Sequence, residues 1–119
     1  MKEDNKILNL TFDFSIQIIE LYKLLVQKNE YVISKQLLRS ATSIGANVEE
    51  ANAAQTKKDF IMKMSIASKE ARESKYWLRL LDKSQMVKAD YSVYLSTIEH
   101  IINILTKIVK TSQESLNNK

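Results

Sequence analysis

The chain has 119 residues, 45% hydrophobic and 27% charged, which is a composition typical of one globular domain. With no proline and one glycine, it lacks the turn residues that sandwiches, barrels and doubly wound folds require, so a few long helices are expected. The absence of cysteine excludes disulfides and thiolate catalysis, and the formal net charge of +4 permits an acidic partner without requiring one.

The amino-terminal ten residues predict the compartment. They place acidic side chains where a signal peptide carries lysines and then an apolar run. No uncharged apolar stretch approaches the roughly 18 residues that a membrane span needs. We therefore expect a cytoplasmic protein with no membrane partner.

The first predicted helix covers residues 11–28, approximately. Its main apolar stripe comprises Phe12, Ile16, Ile19, Tyr22 and Val26. A second set widens this stripe and comprises Phe14, Ile18, Leu21 and Leu25. Because apolar residues cover so much of its circumference, this helix is expected to be the most enclosed of the bundle.

The second predicted helix covers residues 35–55, with Ser34 expected as its N-cap because a hydroxyl can accept a first-turn N–H. Its stripe is Ile33, Leu37, Ala41, Ile44, Val48, Ala51 and Gln55. Gly45 lies inside this helix at a cost of about 1 kcal/mol relative to alanine. We interpret Gly45 as a point of close contact with a neighbouring helix.

The third and fourth predicted helices cover residues 57–82 and 90–115. Thr56 and Asp59 have the spacing of a capping box, which predicts a helix start after a very short connection. The two seams are Phe60, Met64, Ala67, Ala71, Ser74, Leu78 and Leu81, and Tyr91, Leu95, Ile98, Ile102, Leu105, Val109 and Leu116. Their steps of mostly four and three are typical of supercoiled bundles. The chain 1–119 is therefore predicted to be one all-α domain, an antiparallel up-down-up-down four-helix bundle.

Residues for catalysis or metal binding are scarce. The single histidine, His100, has Thr97 where a Glu-x-x-His metal motif needs glutamate, and the seams contain no aspartate or glutamate. Glu99 and His100 are interpreted as a solvated pair. The sequence also lacks a Gly-x-Ser-x-Gly elbow and a glycine-rich phosphate loop. We expect no catalytic residues, no metal, no cofactor and no enzymatic activity.

The third helix has a basic flank. Its cations are Lys58, Lys69, Arg72, Lys75, Arg79 and Lys83. They form either a solvated face or a surface that contacts nucleic-acid phosphates. No aromatic residues for base stacking are interleaved with them, and Glu70 and Glu73 lie close by.

The opposite flank of the same helix is apolar and consists of Met62, Ile66, Trp77 and Leu80. The fourth helix is widened similarly by Tyr94, Ile101, Ile104 and Ile108. Exposed contiguous apolar surface usually marks an interface, so one interpretation is self-association. The other is a wider core within one chain.

A polar stripe follows the second helix and consists of Arg39, Ser43, Asn47 and Glu50. Local pairs such as Asn47 with Glu50 would be worth a few tenths of a kcal/mol, roughly. The stripe could equally bind a partner subunit or another protein. Both interpretations stay open at this stage.

The stretch from Gln36 to Ala51 resembles the signature of the 23S ribosomal RNA intervening-sequence proteins. The matching residues are Gln36, Leu37, Arg39, Ser43, Ile44, Asn47 and Glu50. Further along, Ala67 and Glu73 fit a second family segment, whereas Lys69 stands where a glycine is usual. Gly45 replaces the family proline and Ala51 replaces its glycine, changes that affect the local bend and packing of the second helix.

This resemblance implies a small bacterial four-helix bundle without an assigned enzymatic activity. Similar relatives are accessory proteins of diversity-generating retroelements, which form basic homopentamers that engage nucleic acid and a reverse transcriptase. The resemblance therefore implies a homo-oligomer, with RNA or DNA and a reverse transcriptase or other protein as partners. The alternative is a protein–protein interaction module with no affinity for nucleic acid.

Overall fold

The computed structural model describes residues 2–118, with side chains described from Lys6 onward. Its helices are α1 (Lys2–Gln27), α2 (Ile33–Asn52), α3 (Lys57–Ser84) and α4 (Ser92–Asn117), and residues 2–118 contain no strand. Each helix packs against its neighbour in the chain, and α4 also packs against α1. Together they form the predicted antiparallel four-helix bundle, which measures 52 × 22 × 22 Å.

Helix α1 begins at Lys2 rather than near residue 11, and its core is the set that was predicted to widen the main stripe, not the main stripe itself. The buried face consists of Ile7, Thr11, Phe14, Ile18, Leu21 and Leu25. Phe12 and Ile16 instead have 61% and 48% of their surface exposed, so α1 is not enclosed. The helical turns before residue 11 explain why a different face of α1 is buried. Ile7, Phe14 and Leu21 follow at intervals of seven residues, so they lie on one face, and that face packs into the core.

The start of α2 also differs from the prediction. Val32 occupies the N-cap position without a side-chain bond, and Ser34 is buried inside the first turn. The cap is supplied by the Glu30 carboxylate, which accepts hydrogen bonds from the N–H groups of Val32, Ile33 and Ser34 at 3.0, 2.9 and 2.6 Å. The Ser34 hydroxyl donates to the Glu30 carbonyl at 2.8 Å. A carboxylate thus satisfies the first-turn donors that were assigned to a serine.

The remaining core of α2 agrees closely with its predicted stripe. Leu37, Ala41, Ile44, Val48 and Ala51 are buried, as predicted. Ile33 is only half-buried, and Gln55 is exposed beyond the end of the helix at Asn52.

Helix α3 begins as predicted. The Thr56 side chain accepts a hydrogen bond from the Asp59 N–H at 3.1 Å, and the helix ends at Ser84, before Gln85 in the left-handed region with φ of 48°. Its buried seam includes Met64, Ala67, Ala71, Ser74, Leu78 and Leu81, whereas Phe60 is half-buried.

Helix α4 contributes a wider core than its seam alone. Tyr91, Ile98, Ile102 and Leu105 are buried as predicted, and Ile101 and Ile108 are buried beside them. Tyr94, Leu95, Ile104, Val109 and Leu116 are half-buried. The second apolar set of α4 is therefore largely core of the chain itself, which agrees with the second of the two interpretations given above. None of the helices in the described residues has the length and hydropathy needed to cross a membrane.

Candidate nucleic-acid interface

The basic flank of α3 lies next to α4. Its six cations occupy one broad face, with Lys58, Lys69, Arg72, Arg79 and Lys83 exposed and Lys75 half-buried. Arg72 donates to the Thr106 hydroxyl at 3.1 Å, and the Lys75 ammonium pairs with Glu99 at 2.6 Å. These two contacts place Arg72 and Lys75 on the side of α3 that faces α4. Glu99 therefore pairs with Lys75, which corrects its interpretation as a solvated partner of His100.

A cavity of about 260 Å³ opens between α3 and α4 on this face. It is lined by Ser65, Ser68, Arg72, Thr106, Val109, Lys110 and Gln113. The lining contains two cations, three hydroxyls and an amide, and no carboxylate. Such a set of donors can bind an anion.

Lys110 is the cationic residue of this cavity that the sequence analysis missed. It lies four residues after Thr106, so the two share the face of α4 that turns toward α3. Arg72 and Lys110 are far apart in the chain. Lys110 could therefore be assigned to this site only by knowing how α3 and α4 are aligned in the antiparallel pair. Within α4, the only feature of the sequence that pointed to Lys110 was its position four residues after Thr106.

The polar stripe of α2 is bonded within the chain. The Arg39 guanidinium forms ion pairs with Glu70, at 3.3 Å, and with Glu73. Glu50 pairs with Lys63 at 2.9 Å. These contacts join α2 to α3.

Asn47 and Ser43 complete the stripe through a local contact. The Asn47 amide donates to the Ser43 carbonyl at 2.8 Å and lies 3.2 Å from the Ser43 hydroxyl. The predicted pair of Asn47 with Glu50 is not formed, because each residue has another partner.

Glu73 lies at the centre of the α2–α3 edge. The Trp77 indole N–H donates to its carboxylate at 3.0 Å, and this bond, followed by the Arg39 guanidinium, lowers the pKa of Glu73 despite partial burial. The carboxylate therefore remains charged at neutral pH and holds both partners in place.

The apolar flank of α3 divides into two parts. Met62 and Ile66 are exposed to 59% and 36%, as a docking surface requires. Trp77 and Leu80 are half-buried, and Trp77 packs against the core of its own chain. Tyr76, which the sequence analysis did not single out, is exposed to 51% and packs edge-on against Trp77 with ring centroids 5.1 Å apart.

Three comparisons place the chain among known proteins. Residues 3–107 match the family described as 23S rRNA-intervening sequence protein. A comparison with curated proteins gives no match. A solved structure from Bacteroides thetaiotaomicron VPI-5482, described as a protein with unknown function from the S23 ribosomal protein family, is 43% identical with a TM-score of 0.86. The match covers 91% of this chain and 98% of that one. The chain therefore belongs to the 23S rRNA-intervening sequence protein family.

Proposed function

We propose that this protein is a non-enzymatic, homo-oligomeric helical bundle that binds RNA or DNA through the α3–α4 basic face. The observation that carries the proposal is the separation of charge across α3. Two of its four acidic residues, Glu70 and Glu73, pair with Arg39 on the α2 side. Cations dominate the side next to α4, where nucleic-acid phosphates would bind.

The positions of Glu70 and Glu73 bear on whether the basic flank can bind phosphate. Glu70 and Glu73 lie close to the basic residues along the chain, and neighbouring carboxylates would repel phosphate. Their ion pairs with Arg39 on α2 offset one of the two negative charges and direct both carboxylates toward α2. Only Lys75 on the basic face has its charge offset by a carboxylate of α4, that of Glu99, among the ion pairs of the described residues.

Self-association forms the second part of the proposal. Met62 and Ile66 supply the exposed apolar surface, with Trp77 and Leu80 at its half-buried margin. A pentameric ring and a reverse transcriptase as protein partner, both implied by the resemblance, belong to the same proposal. A ring would multiply the basic face and so raise the affinity for a long nucleic acid by avidity.

The test is binding of fluorescently labelled single-stranded and structured RNA across a salt series, measured by anisotropy. We expect log K to fall linearly with log salt, because phosphate contacts release counterions. Arg72→Glu with Arg79→Glu should weaken binding at least tenfold and reduce the steepness of this line by about 0.7 for each lost contact to a single strand.

The matched control is Lys28→Glu with Lys35→Glu, which makes the same change in net charge at exposed positions away from α3 and α4. It should reduce affinity much less. Equal losses in the two double variants would show that net charge alone, and not the basic face, attracts the RNA. Absence of binding at low salt would overturn the proposal in favour of a protein-interaction module.

A further inference from the structure

We infer that the cavity between α3 and α4 is a binding site for a single phosphate group. The inference rests on the proposed function, because it names the chemical group that the basic face would recognise. The cavity of about 260 Å³ is slightly smaller than most small-molecule sites, which occupy about 300–1,000 Å³. Its size therefore suits one charged group with part of the attached chain, rather than a whole cofactor.

The donors of the cavity come from two facing rows. On α3, Ser65, Ser68 and Arg72 follow at intervals of three and four residues. On α4, Thr106, Lys110 and Gln113 follow at intervals of four and three. Residues at these spacings share one helix face, so the antiparallel pair directs all six side chains at the same space.

Arg72 is held in position for this role. Its guanidinium donates one N–H to the Thr106 hydroxyl across the groove, at 3.1 Å. An arginine has five N–H donors in a rigid plane, so the others remain able to donate to two oxygens of a phosphate. Because the contact with Thr106 already restricts the side chain, less rotamer entropy is lost when the phosphate binds.

The charge of the cavity matches a phosphate. The cations Arg72 and Lys110 both lie in the lining, and neither takes part in an ion pair between described side chains. Lys75, which also faces α4, differs because Glu99 offsets its charge. The three hydroxyls add donors that can rotate toward any phosphate oxygen.

The first experiment conserves charge. Arg72→Lys keeps the positive charge but loses the two-pronged geometry, and we expect it to weaken RNA binding about three- to tenfold with little change in the salt dependence. Lys35→Arg is the matched control, since it exchanges one cation for the other at an exposed position of α2, outside the basic face and the cavity, and it should stay within about twofold of wild type.

Neutral variants test the hydroxyls. Ser65→Ala with Ser68→Ala should weaken RNA binding about threefold or more, because two donors to the phosphate are lost without any change in charge. Ser96→Ala, at an exposed position of α4 outside the cavity, should bind as wild type does. Circular dichroism of each variant checks that the bundle remains folded.

The second experiment separates a backbone phosphate from free phosphate. Inorganic phosphate is titrated into the wild-type protein at constant ionic strength, with chloride as the reference, and backbone amide shifts are followed by NMR. Saturable shifts that centre on Ser68, Arg72, Thr106 and Lys110 support the site. Shifts spread over all exposed lysines would mean an adventitious ion only and would overturn it.

The outcomes distinguish this inference from the proposed function. If Arg72→Glu with Arg79→Glu abolishes RNA binding while Arg72→Lys and the serine variants behave as wild type, the phosphate site is wrong and the proposed function stands. If RNA does not bind but phosphate saturates the cavity, the site is right and its ligand is a free phosphate. If neither binds, both are overturned.

Discussion

Glu30 lies in the connection between α1 and α2, and its carboxylate caps the start of α2. Its residue is only 7% exposed, yet its two oxygens accept three N–H groups from the first turn of α2. Burial by itself would raise the pKa of Glu30, but the hydrogen bonds from Ile33, Ser34 and Val32 outweigh it and lower the pKa below its ordinary value of 4.5. Glu30 therefore caps α2 in its charged form.

This shift predicts how stability depends on pH at Glu30. Because the folded pKa lies below the unfolded value, the contribution of Glu30 is fully present above about pH 4.5 and is lost as the pH falls through the folded pKa. Glu30→Gln removes the charge and should lower the free energy of unfolding by about 1–2 kcal/mol at neutral pH. The difference from wild type should shrink in acid. Urea unfolding followed by circular dichroism at several pH values measures both effects.

The control for Glu30 is Glu49→Gln, which changes an exposed carboxylate of α2. It should have little effect on stability at any pH, since surface carboxylates contribute little. A Glu30→Gln variant as stable as wild type at neutral pH would show that the negative charge of Glu30 does not contribute, since the glutamine oxygen can still accept the first-turn N–H groups.

Gly45 lies at the contact between α1 and α2. A methyl group built at this glycine would lie 3.4 Å from both the Ser15 hydroxyl oxygen and the Thr11 carbonyl oxygen of α1, which is ordinary van der Waals contact. The predicted close approach of two helices at Gly45 is therefore present. An alanine methyl group would therefore fit against α1 at this position.

Substitutions at Gly45 should show how much space the contact with α1 leaves. Gly45→Ala should raise the free energy of unfolding by about 0.5–1 kcal/mol, because alanine costs less backbone entropy in a helix and its methyl group fits. Gly45→Leu should lower it by about 1–3 kcal/mol, because the longer side chain forces α1 and α2 apart. Chemical denaturation of both variants provides the measurement.

Ala46→Gly is the matched control for Gly45, since it makes the reverse change at the adjacent exposed position. It should destabilise the chain by about 1 kcal/mol through helix propensity alone. Destabilisation by Gly45→Ala would mean that the α1–α2 contact is too tight for a methyl group.

At the scale of the whole molecule, the exposed apolar residues bear on assembly. Met62→Glu with Ile66→Glu should dissociate the proposed oligomer without unfolding it, because both residues are exposed in one chain. Wild type should have a mass that is a multiple of 13.7 kDa, and the variant should have that of a single chain. Sedimentation equilibrium at several protein concentrations measures both. Trp77 is a poorer choice, since it packs against the core.

Phe12→Glu with Ile16→Glu provides the comparison, because these residues expose apolar surface on α1 instead. This variant should retain the wild-type mass. If it dissociates while the α3 variant does not, the interface lies on α1. A wild-type mass of one chain would overturn self-association altogether.

The helical architecture was predictable because its causes act locally. Helix class, number and order depend on the missing turn residues and on periods of three and four. The Thr56 cap was predictable for the same reason, since the hydroxyl and the Asp59 N–H are only three residues apart. Family membership could also be anticipated from short motifs, such as the one from Gln36 to Ala51.

The sequence by itself determined that this chain is a bundle of long helices with a basic flank on α3. Only the tertiary structure decided which face of α1 is buried, because α1 carries apolar residues on several sides and its packing against α2 and α4 selects one. The tertiary structure also decided which side chains the charged residues contact. Arg72 meets Thr106, and Arg39 meets Glu73, across helices whose register is set by the packing of the whole core rather than by residues nearby in the chain.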